Sequence, residues 1–316
     1  MLLLQSLRRY LLLIFQLLVS TVTGRRHPVA GLLMLLAFPL FLAWQLLHWL
    51  GLLLDEILYR GYRDLPVERP VFIVGPPRSG TTHLHQVLSL DEQYTTFSTW
   101  ECLFGLSVSA RRLCLGLAAV DRAVGRPLAR LSGWLGRRLF AGMDDVHPLS
   151  LAAPEEDFLA LMPLAACFLL AVPFPDADWL WRTARCDDEL WPAERQRLMQ
   201  YYRSCIQKHL YVHGKDKVFL SKNASFAGTG EALLQTFPDA VLLICTRDPL
   251  SVVPSQLSSL APARGLCGYP DPDRAFRGQM IDLLRHYYLH LADTLERHPD
   301  RCALLHNHRL RDALAE

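Results

Sequence analysis

Two kinds of patterning divide this chain. Residues 29–54 contain no Asp, Glu, Lys or Arg, an apolar run longer than the roughly 20 residues a helix needs to cross a bilayer. A shorter apolar stretch, residues 10–23, comes before it. Basic pairs stand at Arg8-Arg9 and Arg25-Arg26, and Asp55 and Glu56 follow the long run at once. The long run starts too late for a cleaved signal peptide, and no small-x-small site follows the first one. Pro39 is compatible with a membrane helix. Three arrangements fit: a single span, a hairpin turning at residues 24–28, and a Leu-rich arm lying on a membrane or packed between copies of the chain. A single span carries the remainder across the membrane, whereas a hairpin returns it to the side of the N-terminus. Residues 1–63 are therefore read as a hydrophobic helical segment for membrane or homo-oligomer contact. The expected location is membrane-associated, with the region after residue 63 on the cytoplasmic side.

From Asp64 onward the pattern changes. Pro66 and Pro70 punctuate a linker, and Val71-Phe72-Ile73-Val74 reads as a buried parallel strand. A Gly-rich turn and a helix over 82–90 follow. Further helices are expected at 108–124, 128–140, 155–170, 192–209 and 229–236, from Leu250 onward, and at 277–297. Strands are expected at 217–220, 239–246 and 302–305. Alternation of strands and helices predicts an α/β fold, a P-loop-type parallel sheet flanked by helices, in one catalytic domain over 64–316.

Composition narrows the classes. A chain of 316 residues, 51% apolar, holds one sizeable α/β domain with an appendage. Its 33 basic and 31 acidic residues are dispersed and give a formal charge of +2, which argues against the dense basic patch of a nucleic-acid-binding protein. Eight cysteines without C-x-x-C spacing read as buried small residues in a reducing compartment.

The candidate chemistry starts at residues 75–82, Gly-Pro-Pro-Arg-Ser-Gly-Thr-Thr. Gly75 and Gly80 have the spacing of a phosphate loop, whose backbone N–H groups converge on an anion at the start of a helix. A nucleotide triphosphatase carries Lys where this chain has Thr81, so Arg78 supplies the positive charge from within the loop. Thr246-Arg247-Asp248-Pro249 directly follows the clearest strand, with Ser255 eight residues beyond Arg247. In an open parallel sheet this turn faces the same crevice as the first loop.

These two elements, in this order, resemble the donor-binding motifs of the sulfotransferase superfamily, nearest its diverse, largely bacterial branch. The likeness extends over about residues 70–305. It implies a sulfotransferase using 3′-phosphoadenosine 5′-phosphosulfate (PAPS) and a hydroxyl or amine acceptor, small or amphiphilic, with no metal. Pro77, Arg78, Ser79, Gly80, Thr81 and Thr82 would hold the 5′-phosphosulfate, and Arg247 and Ser255 the 3′-phosphate. Lys222 stands where that branch carries Lys-Ser-Pro-x-His, but Ala224 and Phe226 replace the Pro and His. By the same likeness Glu101 is the expected general base, with Arg78 and Lys222 holding the donor. His147 is the competing base, because its unperturbed pKa lies near neutrality. Glu155, Glu156 and Asp157 read as a helix start. A P-loop kinase or hydrolase is the alternative, opposed by Thr81 and the lack of a strand-end Asp for Mg²⁺. A non-catalytic, membrane-tethered relative is another. Relatives continue through further C-terminal helices, whereas this chain stops at Glu316, so a weakened nucleotide cover is also an expectation.

Overall fold

The computed structural model describes residues 2–127, 130, 151–270 and 273–312. Five strands, β1 (Val71–Val74), β2 (Tyr94–Thr95), β3 (Val218–Lys222), β4 (Val241–Thr246) and β5 (Cys302–His306), form one parallel sheet in the order β2-β3-β1-β4-β5. The β1 run is apolar on both faces because both are covered. Phe72 and Val74 face the main core, where Phe72 meets Tyr202 and Phe237. Ile73 faces the other way, toward Leu220, Cys245 and the helix α3 (Thr81–Leu88) through Leu84 and Leu88.

The remaining helices are α1 (Leu2–Val22), α2 (Pro28–Leu58), α4 (Thr99–Phe104), α5 (Val108–Ala123), α6 (Asp178–Ala184), α7 (Cys186–Glu189), α8 (Pro192–His213), α9 (Gly230–Thr236), α10 (Pro249–Leu266), α11 (Arg274–Arg297) and α12 (Asn307–Asp312). The helix expected at 155–170 is instead two 3₁₀ turns, Asp157–Leu164 and Phe168–Ala171. Pro163 has no N–H to continue an α-helix, and Ala165 turns left-handed at φ 47° to end the first piece. β2, α4, α6, α7 and α12 are additions to the elements expected from the sequence, and the helix expected at 128–140 falls largely outside the described residues.

Residues 23–27 join α1 and α2, at the place where the hairpin arrangement puts the turn. Both helices are long and apolar enough to cross a membrane by length and composition. They nevertheless contribute to the main core, through Tyr10, Leu13 and Leu17 of α1 and Phe38, Trp49 and Leu52 of α2. Polar ties reinforce the packing. Arg9 pairs with Glu194 at 2.6 Å, and the indole N–H groups of Trp44 and Trp49 donate to the carbonyls of Leu103 and Pro163 at 2.6 and 3.0 Å. Asp55 accepts the N–H groups of Val108 and Ser109, each at 2.8 Å, and so caps α5 from another helix.

Candidate active site

β3, β1 and β4 are neighbours in the sheet, so the loops at their carboxyl ends meet. The loop after β1 is shaped by two glycines. A Cβ on Gly75, at φ 156°, would sit 2.3 Å from the Cys245 carbonyl on β4. Gly80 caps α3 in the left-handed region at φ 94°. Arg78 also turns left-handed, at φ 69°, a conformation that costs a non-glycine residue about 1 kcal/mol or more and clusters at ligand sites. Ser79 is fully buried, and its hydroxyl has no hydrogen-bond partner among the described residues. The first turn of α3 adds backbone N–H groups without intrahelical acceptors. A buried unpaired hydroxyl beside free N–H donors and an arginine fits an oxyanion such as phosphate or sulfate.

The second motif joins the first. Arg78 Nε donates to Ser255 Oγ at 3.2 Å, and Arg247 Nη1 donates to the Arg78 carbonyl at 3.4 Å. Asp248 Oδ1 accepts the Leu250 N–H at 3.1 Å and starts α10, while the Tyr288 hydroxyl donates to the Arg247 carbonyl at 2.5 Å. The three side chains expected to grip a phosphorylated nucleotide from both ends, Arg78, Arg247 and Ser255, thus form one network.

Lys222 ends β3, is buried, and pairs with Glu156. Glu156 reaches it because residues 153–155 run beside 97–99, with the Glu155 N–H donating to the Phe97 carbonyl at 2.8 Å and the Thr99 N–H to the Ala153 carbonyl at 3.1 Å. Pro77, Arg78, Thr81, Thr82, Glu156 and Lys222 line a cavity of about 290 Å³. Its remaining wall is mainly apolar, from Phe158, Phe168, Phe276, Met280 and Leu283. His85, behind the loop, bonds Thr96 Oγ1 at 2.7 Å. Burial, with the charge of Lys222 added, pushes its pKa down to about 3, so the ring is neutral. Phe226, in the place of the family histidine, is buried against Tyr202 at a centroid distance of 5.0 Å.

Glu101 is elsewhere. It is not among the cavity-lining residues, and its buried carboxylate contacts Arg111 Nε at 3.0 Å, His209 Nδ1 at 2.9 Å and His213 Nε2 at 2.9 Å. It also closes a capping box with Ser98 at the start of α4. Burial alone would raise its pKa, but hydrogen bonds with His209 and His213 and the charge of Arg111 outweigh it and hold the carboxyl well below its usual range. Sequence reading took Glu156 as part of a helix start, but it precedes a 3₁₀ turn and makes no side-chain cap. The only local signal was its place in a run of three carboxylates. Its neighbour Asp157 points inward and accepts from the Tyr202 hydroxyl; burial pushes its pKa up to about 7, against that hydrogen bond. His147 lies outside the described residues. Two groups among the described residues have metal-ligating geometry, Glu101-His209-His213 and Asp188-His286-His290, and neither lines the cavity.

A parallel sheet with a Gly-rich loop after its central strand, an arginine-serine network on the adjacent strand's turn and a Lys-carboxylate pair on the other gathers cationic and hydrogen-bonding groups at one end of the sheet. A model of the sulfotransferase family matches residues 70–311, and the chain belongs to that family. It is 28% identical over 193 residues to the omega-hydroxy-beta-dihydromenaquinone-9 sulfotransferase Stf3 of Mycobacterium bovis and to that of Mycobacterium tuberculosis, an alignment covering 60% of this chain and 44% of each relative. The match therefore spans less than half the length of those relatives. The fold is shared with sulfotransferase STF1 from Mycobacterium tuberculosis, at TM-score 0.67, 18% identity and coverage of 97% of this chain and 79% of that one. Sulfotransferase STF9 from Mycobacterium avium matches at TM-score 0.64 and 22% identity, covering 81% of this chain and 64% of that one.

Proposed function

We propose that this protein transfers a sulfuryl group from PAPS to a hydroxyl of an amphiphilic acceptor. The observation that carries the reading is the Glu156-Lys222 pair, set in one cavity with the phosphate loop. PAPS supplies an activated sulfuryl group whose sulfur–oxygen bond to the 5′-phosphate breaks as the acceptor oxygen bonds to sulfur. Loop residues 77–82 hold the 5′ end, and Arg247 with Ser255 holds the 3′-phosphate that separates this donor from ATP. Lys222 and Arg78 offset the charge left on the departing phosphate. Glu156 takes the acceptor's proton, a role supported by its place beside Lys222 on the cavity wall, which Glu101 does not line. The scheme calls on no metal.

The apolar wall of the cavity favours a hydrophobic acceptor body. A relative named for a hydroxylated menaquinone supports the same class of substrate. Two long apolar N-terminal helices support membrane association.

Titration of 3′-phosphoadenosine 5′-phosphate, adenosine 5′-phosphosulfate and ATP into the full chain tests the donor. The 3′-phosphorylated ligand is expected to bind best and to lose that advantage in Arg247→Ala. Tight ATP binding that requires Mg²⁺ would overturn the reading. Transfer of ³⁵S from labelled donor into a lipid extract then reports the acceptor class.

A further inference from the structure

We propose that α1 and α2 form an in-plane membrane seat: the hairpin lies along one leaflet with its outer face among the acyl chains, and neither helix crosses the bilayer. The inference rests on the membrane association proposed above and gives it an orientation.

α2 is inside-out for a helix in water. Every exposed position along it carries an apolar side chain, among them Leu33, Leu36, Leu40, Leu47, Leu50 and Ile57, while Gln45, His48 and Asp55 are buried. A surface helix of a soluble protein shows the opposite arrangement. The apolar surface recurs on α1 at Leu11, Phe15 and Leu18 and on α5, which packs beside α2, at Leu113, Leu117 and Val120. Isolated exposed leucines are ordinary, but a band shared by three helices marks a partner surface.

The polar ties decide against a span. At the turn, the buried Arg26 guanidinium donates to the carbonyls of Cys267 and Pro173 at 2.9 and 2.6 Å and to the Tyr269 hydroxyl at 2.8 Å. Midway, Trp44 and Trp49 are bonded to the catalytic region, and near the far end Asp55 caps α5 and meets Lys208 at 3.3 Å. A helix fixed at its start, middle and end to an α/β body lies along that body's surface. Its 31 residues extend about 46 Å, well beyond the ~30 Å hydrocarbon core that an upright helix would have to match.

A second copy of the chain fits less well than lipid. Val29, Leu33, Leu36, Leu40, Ala43 and Leu47 do follow a four-three spacing. However, the positions beside them, Leu32, Pro39, Leu46 and Leu53, are also apolar, and no charge within residues 29–54 could set a register between copies. A stripe this wide and unpatterned matches a fluid apolar phase. Cations stand at its far end, where Arg60 follows α2 and Arg112 of α5 lies over the Tyr59 ring at 4.6 Å, whereas exposed Arg25 at the turn is held by both oxygens of Asp176 at 2.9 and 3.0 Å. Arginine beside an interfacial tyrosine suits anionic headgroups. The Arg26 anchor at Pro173 is one residue from Val172, which lines the candidate cavity, so the seat brings that cavity close to the lipid surface.

The test uses the full chain with preformed vesicles of phosphatidylcholine and phosphatidylglycerol. The chain is expected to float with the vesicles, and the triple variant Leu36→Ser, Leu40→Ser, Leu47→Ser to lose flotation while still binding 3′-phosphoadenosine 5′-phosphate. A Thr23→Cys variant places a thiol at the hairpin turn, and an impermeant maleimide added outside is expected to label it as fully in vesicles as in detergent. Flotation with position 23 shielded would mean a spanning hairpin and would overturn the in-plane seat alone. Failure to float, or a dimer in place of vesicle binding that the triple variant dissociates, would overturn membrane association as well. Loss of nucleotide binding in the unaltered chain would count against the donor reading without touching the seat.

Discussion

At the scale of single residues, two carboxylates stand in different surroundings. Glu156 opens onto the cavity beside Lys222, so Glu156→Gln removes the proposed proton acceptor but keeps the shape. Transfer is expected to fall about 10²- to 10⁴-fold, with the affinity for 3′-phosphoadenosine 5′-phosphate nearly unchanged, as single-turnover kinetics and nucleotide titration would show. Retained transfer would remove Glu156 from the mechanism. Glu101→Gln acts on stability instead, because it strips the charged partner from Arg111, whose side chain is 0% exposed. Leaving such a charge unpaired costs about 3–5 kcal/mol, visible as a lower denaturant midpoint at a similar slope. That Arg78, Arg247 and Ser255 come together was legible in the sequence, since they belong to local strand-turn-helix motifs on adjacent strands. The contrasting surroundings of Glu101 and Glu156 were not, because both are acidic residues beside an element boundary and only their distant neighbours separate them.

At the scale of elements, α4, α5 and α8 are joined through Glu101, Arg111, His209 and His213. Burial pushes the His209 pKa down to about 4, with the hydrogen bond to Glu101 opposing it, from an ordinary value of 6.5. Between those values the unfolded chain binds more protons than the folded one, so this contribution is complete above pH 6.5 and is lost as pH falls toward 4. The gap in melting temperature between the unaltered chain and His209→Gln should therefore shrink over that interval. A gap constant with pH would show that His209 does not titrate against folding. Strands with continuous apolar runs were readable from sequence, as β1 and β4 show. The 3₁₀ turns after Glu156 were not, because the apolar run there resembles a helix until Pro163 and the left-handed Ala165 interrupt it.

At the scale of the whole molecule, the hydrophobic N-terminus and the α/β region share one core. A chain beginning at residue 64 would expose the surfaces that Tyr10, Leu17, Phe38, Trp49 and Leu52 now cover and would lose the Asp55 cap of α5. It is expected to aggregate or to unfold without a single cooperative transition, as scanning calorimetry and size-exclusion chromatography would report. A well-behaved fragment that still binds nucleotide would support residues 1–63 as a separable segment. The sequence by itself determined the strand-loop-helix turn at residues 75–82, the second turn with Arg247, and an N-terminal stretch too apolar to be left wholly in water, because each is written in neighbouring residues. Tertiary structure alone decided which acid meets Lys222, where Glu101 goes, and how the hairpin lies. Those outcomes depend on contacts between residues 66 apart for Glu156 and Lys222, 108 apart for Glu101 and His209, and 241 apart for Arg26 and Cys267, separations over which no local pattern of polarity or spacing carries information.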